Sequence, residues 1–326
     1  MNSPRKSLEN KHNKRAAQGA FTFADLFAGI GGIRLAFEAA GGTCVFSSEW
    51  DKHAVATYIA NFHDVPQGDI TKVRVSSIPA FDILAAGFPC QPFSSFGKRE
   101  GFLHATQGTL FYDIVRISKA KKPKILFLEN VAGLVTHDSG NTFKTIMLAL
   151  NKLGYRIHWR ILDAQEYGLP QRRSRIYIVA YRKDLHSAYE AFQWPIKSKR
   201  PPTLHGIIQR GVTEYSISKH LQRRYVFKAD DGRPQVLRPG RVGTNVANTL
   251  VASYHKIQRL TGTFVADGPT GLRLLTVEEC KAIMGFPKNF KMPVSRTQSY
   301  RQLGNSVAVP VVTAIANEIV ASVVNA

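Results

Sequence analysis

Short apolar runs recur through the first 180 or so positions, separated by stretches with helical spacing. Phe21 to Phe27, Thr43 to Ser47, Asp82 to Ala86, Ile125 to Leu128, Ile157 to Leu162 and Ile176 to Tyr181 read as strands. Between them Ile33 to Ala40, Ala54 to Asn61, Leu110 to Ala120 and Thr142 to Leu150 read as helices. Strand alternating with helix predicts an α/β fold, a doubly wound parallel sheet covered on both faces. From 182 to 270 the regularity stops. Pro195, Pro201, Pro202, Pro234 and Pro239 fall there among several glycines, which predicts a second, smaller domain. Helical pattern returns at Thr276 to Met284, where Thr276 and Glu279 have capping-box spacing, then at Ser299 to Arg301 and in a tail over Val307 to Val324. Pro310, Asn317 and Glu318 make the tail an amphipathic helix and not a membrane span. Its apolar face predicts packing back onto the first domain.

With 44% hydrophobic and 21% charged residues the chain is globular in composition, which excludes wholesale disorder and collagen-like repeats. Charge adds more. Lys+Arg 44 against Asp+Glu 23 leaves +21, which favours a polyanionic partner such as nucleic acid. The excess is uneven: the 182–270 segment holds fifteen basic and six acidic residues, and residues 1–20, read as a basic flexible extension, hold five and one. Three scattered cysteines, Cys44, Cys90 and Cys280, suit neither a disulfide framework nor a four-ligand zinc site, so no metal is expected. The start of the chain has no apolar signal region, and a cytoplasmic location is expected.

The chemistry-bearing residues gather at predicted strand ends. Asp25-Leu26-Phe27-Ala28-Gly29-Ile30-Gly31-Gly32 closes the first strand and opens a helix, a turn whose glycines let a ligand approach the backbone. Arg34 stands where a dinucleotide fold would have its third glycine, which weakens a nicotinamide reading. Glu49 ends the second strand about twenty residues on, where a carboxylate accepts from ribose hydroxyls, and Asp69 follows at a position suited to an adenine amino group. Gly87-Phe88-Pro89-Cys90-Gln91-Pro92-Phe93-Ser94 places Cys90 just past a third strand, between two prolines, and a basic loop with Ser94, Lys98 and Arg99 follows. Glu129-Asn130-Val131 puts a carboxylate on the same rim. In Gln171-Arg172-Arg173-Ser174-Arg175, the alternation of a strand points Arg173 and Arg175 to one side.

These blocks, together with Glu49-Trp50, Asp69-Ile70, Arg273 to Pro287 and Gly304-Asn305-Ser306-Val307, resemble, over nearly the whole chain and in the same order, a cytosine-5 DNA methyltransferase of the bacterial restriction-modification type. The resemblance implies a Rossmann-like S-adenosylmethionine-dependent fold, with residues 21–181 cofactor-binding and catalytic, 182–270 the target recognition domain and 271–326 returning to the catalytic domain. It implies that Phe27, Ala28, Gly29, Ile30, Gly31, Gly32, Glu49, Trp50, Asp69, Ile70, Gly87, Pro89, Leu110, Asn305, Ser306 and Val307 surround S-adenosyl-L-methionine, whose product is S-adenosyl-L-homocysteine. Cys90 would be the nucleophile. Ser94, Lys98, Arg99, Arg241, Thr249, Leu250 and His255 would contact double-stranded DNA, with Arg223, Arg224, Asn245, Asn248 and Arg259 as further polar groups in the same segment. Two positions depart from the family: Ser174 stands between the two arginines where many relatives have an acid, and Gln107 precedes Gly108 where several have arginine.

The chemistry explains why these groups are needed. Cytosine C5 is a poor nucleophile, and adding the Cys90 thiolate to C6 makes C5 enamine-like and able to attack a sulfonium methyl. A protonated Glu129 would donate at N3 and accept from the exocyclic amine, Arg175 would bind the O2 edge and steady Glu129, and Arg173 would lie near the cysteine and the target phosphate. Attack on C6 is perpendicular to the ring, so the base must leave the duplex. Partners expected are duplex DNA and a companion restriction endonuclease acting on the same site, with the enzyme itself a monomer. Two rival readings are methylation of transfer RNA by the same chemistry and a non-catalytic DNA-binding regulator on this scaffold.

Overall fold

The computed structural model describes residues 21–89, 110–199, 202–227, 234–240 and 246–324. Six strands form its main sheet: β1 (Phe21–Leu26), β2 (Gly42–Ser48), β3 (Ile83–Gly87), β4 (Ile125–Val131), β5 (Tyr155–Asp163) and β6 (Ser174–Arg182), in the order β2-β1-β3-β4-β6-β5. Residues alternate between the faces at the period of two that a strand imposes. Phe23, Ile83, Ala85, Ile125, Phe127, Tyr177 and Val179 join one core, and Ala24, Leu26, Leu84, Ala86, Leu126, Leu128, Ile176 and Ile178 join the other. Both faces are therefore covered, as the near-continuous apolar character of the central strands requires.

The first face is closed by α1 (Gly32–Ala39) and, from the far end of the chain, by α8 (Val309–Val324). The second is closed by α3 (Leu110–Lys121) and α4 (Asn141–Lys152). The tail helix packs back as its pattern predicts: Val311, Val312, Ile315 and Ile319 are buried with Ile33, Ala36 and Phe37 of α1, and Tyr181 and Ser322 share a 2.8 Å hydrogen bond. The stretch Arg296–Val324, of which α8 is the second part, is apolar and long enough to pass for a membrane span, yet half of its most apolar window is buried inside the protein.

The sheet differs from the expectation of parallel strands at one side. β1, β2, β3 and β4 pair with one another in parallel, but β6 runs antiparallel to both β4 and β5. Residues 164–173 join β5 to β6 through a single turn, Ala164–Tyr167, and a link that short cannot return the chain for parallel pairing, which needs about a dozen residues or more. The reversal brings the start of β6 to the rim where β4 ends, with Val131 opposite Arg175.

Beyond β6, α5 (His186–Ala191) packs against α8 and β6, and His158 stacks on Tyr189 at 4.1 Å between ring centres. A small sheet of β7 (Gln235–Leu237), β8 (Thr263–Val265) and β9 (Arg273–Leu274) follows, its Leu237, Phe264 and Val265 continuous with the first core. Arg273 is fully buried at its edge. It donates to Glu279 through both Nη1 and Nη2, at 2.8 and 2.9 Å, to Asp267 at 3.0 Å and to the Gln209 carbonyl at 2.9 Å. Glu279 completes the capping box that opens α6 (Val277–Met284), so one ion-paired cluster ties the small sheet to the returning segment.

Candidate active site

The carboxyl ends of β1 to β4 and the start of β6 share one edge. The strand order reverses between β1 and β3, so the crevice of a doubly wound sheet lies there. At the end of β1 the chain takes left-handed φ at Phe27 (56°), Gly29 (55°) and Gly31 (84°), and Gly31 is the N-cap of α1. A Cβ at Gly31 would stand 2.1 Å from the Phe62 ring, and one at Gly32 2.7 Å from Ser306 Oγ. Only glycines permit this approach.

Glu49 organises the turn. Its Oε2 accepts from the Gly29 N–H at 2.8 Å, and Oε1 accepts from the N–H groups of Trp50 and Asp51, each at 2.8 Å. Trp50 beside it is 80% exposed, an aromatic face presented to the crevice rim. Asp69 is half-buried and caps the turn Ile70–Lys72, accepting from Thr71 N–H at 3.0 Å and Thr71 Oγ1 at 2.7 Å. Burial raises the carboxyl's pKa only slightly, and the hydrogen bonds, Thr71 Oγ1 first, hold it below the usual range. Ile30 and Ile70 are buried, one in each core. Ala28 is buried and donates to the Ser48 carbonyl at 2.9 Å. Asn305 is exposed, Ser306 half-buried and Val307 buried beside Gly32, while Leu110 opens α3 and is half-buried.

Sequence reasoning missed Asp25 as an individual residue. Its carboxyl is fully buried at the end of β1, and neither oxygen has a hydrogen-bond partner. Burial pushes its pKa up to about 8, against the attraction of Arg34. The folded protein therefore keeps this proton between pH 4 and 8 while the unfolded chain gives it up, and stability falls as pH rises through that window. Asp25→Asn is expected to remove that slope. Its unfolding free energy should gain on the parent by ~1.4 kcal/mol per pH unit inside the window, and denaturant titrations at pH 5 and pH 7 that moved in parallel for the two proteins would refute the buried proton.

On the other side of the crevice, Glu129 is 9% exposed near the end of β4, opposite Gly87 of β3, and Arg175 Nε lies 3.4 Å from its Oε1. Burial raises the Glu129 pKa, with Arg175 and then Arg173 pulling it back. Asn130 next to it donates to the Phe88 carbonyl at 2.8 Å, so the end of β4 positions the chain that enters Pro89 and Cys90. Gly87 is half-buried and Pro89 exposed at the same rim. Cys90, Ser94, Lys98, Arg99, Gln107, Arg241 and Asn245 lie outside the described residues.

Arg173 is buried on backbone carbonyls of distant segments. Only 2% exposed, it donates from Nη1 to the Leu250 carbonyl at 3.0 Å and from Nη2 to the carbonyls of Gly304 at 3.1 Å and of Ser306. Burial, and next the charge of Arg175, lowers its pKa to about 9. Leu250 is 3% exposed, its side chain lies in the core and its N–H donates to Gln171 Oε1 at 2.9 Å. Thr249 is half-buried and gives its hydroxyl to the Arg172 carbonyl, and His255 is half-buried in the turn Tyr254–Lys256. Arg223 and Arg224 are exposed. The departure at 174 has a physical reason. Ser174 Oγ donates to Asp163 Oδ2 across the β5–β6 pair, where an acid would face a second carboxylate.

The family model for C-5 cytosine-specific DNA methylases matches residues 21–321. Among curated proteins the chain is 56% identical to the Type II methyltransferase M.MspI of Moraxella sp over 310 residues, 95% of this chain and 72% of that protein. It is 55% identical to M.BsuFI of Bacillus subtilis, covering 95% of this chain and 76% of that protein, and 41% identical to M.HhaI of Haemophilus parahaemolyticus, covering 91% and 93%. Among solved structures, Spodoptera frugiperda DNMT2 superposes with a TM-score of 0.73 at 21% identity, over 92% of this chain and 99% of that one, which is a likeness of fold.

Proposed function

The chain is a member of the C-5 cytosine-specific DNA methylase family, and from that premise we propose how its own residues carry out cytosine methylation in DNA. The observation that supports the reading best is the Glu129–Arg175 pair at 3.4 Å on the rim where Asn130 holds the Phe88 carbonyl, two residues before Cys90.

S-adenosyl-L-methionine fits the other half of the crevice: a glycine turn in which a Cβ at Gly29 would meet nothing nearer than 4.0 Å, an exposed Trp50 face and the Glu49 and Asp69 carboxylates. Phe27 to Gly32, Glu49, Trp50, Asp69, Ser306 and Val307 would hold it, and when bound it supplies an electrophilic methyl, leaving as S-adenosyl-L-homocysteine. Glu49 Oε1 accepts two backbone N–H groups and Oε2 one, so Oε2 retains a lone-pair site for a hydroxyl.

The protein's part in the reaction is to hold a cytosine that has left the duplex and to raise the reactivity of its C5. Cys90 as thiolate adds to C6, forming the S–C6 bond as the C5=C6 double bond opens. Glu129, whose burial favours the protonated form, donates its proton toward N3 and accepts from the exocyclic amine. Arg175 binds O2 and keeps Glu129 in place. After methylation the C5 proton leaves, the thiolate is expelled as the C5=C6 double bond re-forms, and the proton shared with N3 returns to Glu129.

Residues 182–270 act as the target recognition segment on a short specific duplex site, their excess positive charge making binding strongly salt-dependent. The enzyme acts as a monomer in the cytoplasm and a restriction endonuclease reads the same site. Methyl transfer from the labelled donor to duplex DNA and to transfer RNA, assayed side by side, tests the reading. Transfer to duplex DNA is expected, at positions that bisulfite sequencing of host DNA maps, and transfer to transfer RNA alone would overturn it.

A further inference from the structure

The glycine turn and the Thr249–Leu250 element touch the same short piece of chain from opposite sides. On one side, a Cβ at Gly32 would stand 2.7 Å from Ser306 Oγ and 2.9 Å from a methyl of Val307, so the start of α1 rests on residues 306 and 307. On the other, a Cβ at Gly304 would stand 2.3 Å from the carbonyl carbon of Val251 and 2.4 Å from the nitrogen of Ala252. The last turn of α7 (Arg296–Asn305) thus lies backbone against backbone on the segment that follows Leu250.

Arg173 is the side chain that fastens both sides. Its guanidinium is buried among carbonyls, with Leu250 on one arm and Gly304 and Ser306 on the other. The same stretch holds the element by its backbone as well: Arg172 N–H donates to the Ala247 carbonyl at 2.9 Å, and Ala247 N–H to the Pro170 carbonyl at 2.8 Å. Burying a cation is costly, and a rigid planar fork is the geometry that reaches two separated carbonyl sets at once. A lysine ammonium at the end of a single stem cannot span them. The position therefore asks for arginine for a geometric reason, and the reason joins the cofactor seat to the target segment.

We propose that Arg173 is a positioning residue that locks the Thr249–Leu250 element to Ser306, so that filling the glycine turn and engaging DNA reinforce each other. The proposal rests on the reading of those two regions given above. Because coupling between sites is reciprocal, the factor by which the cofactor product tightens DNA equals the factor by which DNA tightens the product.

Two measurements test it on the full chain. In the wild-type protein, hydrogen exchange with and without S-adenosylhomocysteine should show protection at residues 27–32 and also at 246–252. Protection at 27–32 without any at 246–252 overturns this inference alone, whereas no protection at 27–32 overturns the cofactor seat and the inference with it. The second is the dissociation constant of a duplex carrying the methylated site, with and without S-adenosylhomocysteine. At least a fivefold tightening is expected for the wild type, shrinking toward onefold in Arg173→Lys. A variant that binds both ligands more weakly but keeps the wild-type factor assigns Arg173 a purely structural role and overturns the proposal.

Discussion

Cys90→Ser is expected to lower methyl transfer by ~10⁴-fold or more while leaving sequence-specific binding to duplex DNA in place. A thiol with an ordinary pKa of ~8.5 supplies some thiolate at neutral pH, whereas a serine hydroxyl supplies almost no alkoxide unless a base stands beside it. No step after addition can proceed without the S–C6 bond, because the ring carbon that receives the methyl stays electron-poor. Binding survives for a separate reason. Asn130 holds the chain at the Phe88 carbonyl, two residues before the cysteine, and most of the excess positive charge lies in other segments. The check is paired: labelled methyl transfer and electrophoretic retardation of the same duplex. Undiminished transfer refutes the nucleophile, and a wild-type protein that binds DNA without transferring a methyl group supports the regulator reading.

What the sequence made legible was the part of the fold governed by short-range rules. The strands, the turn after β1 and the Thr276–Glu279 capping box follow from periodicity and from side chains that act on their own backbone. The rim followed as well for Glu49 and Glu129, which stand at the ends of predicted strands, since a doubly wound sheet puts strand ends together. Alternation also correctly set Arg173 and Arg175 on one side of a strand, but it could not say what stood on that side. Arg175 meets Glu129, 46 positions earlier in the chain, while Arg173, just before the strand, meets carbonyls from positions 250, 304 and 306. The direction of β6 and the burial of Leu250 were hidden for the same reason. Both depend on which distant segment arrives alongside, and nothing in a local pattern encodes that. Asp25 was hidden differently: in sequence it is one polar residue in an apolar strand, and only the closed packing around it shows that its carboxyl has no partner.

Glu129→Gln is expected to reduce kcat by ~10²- to 10⁴-fold with little change in DNA affinity. The amide has the shape of the carboxyl, donates toward N3 and accepts from the exocyclic amine, so the flipped base is still held. What it lacks is a proton to share as negative charge builds on the ring. The pH dependence separates this from a mere loss of fit. Burial raises the Glu129 pKa above the ordinary carboxylate value despite Arg175 and Arg173, so the folded enzyme keeps the useful proton through the normal carboxylate range and loses it as pH rises through the elevated pKa. The Cys90 thiolate fraction rises over the same interval, but it rises equally in both proteins and cancels in their ratio. The ratio of wild-type to Glu129→Gln rate is therefore expected to be largest at low pH and to fall on the alkaline side as Glu129 ionises. A ratio that stays flat across the whole range would mean that Glu129 positions the cytosine without delivering a proton, and the neutral carboxyl would then lose its place in the reaction.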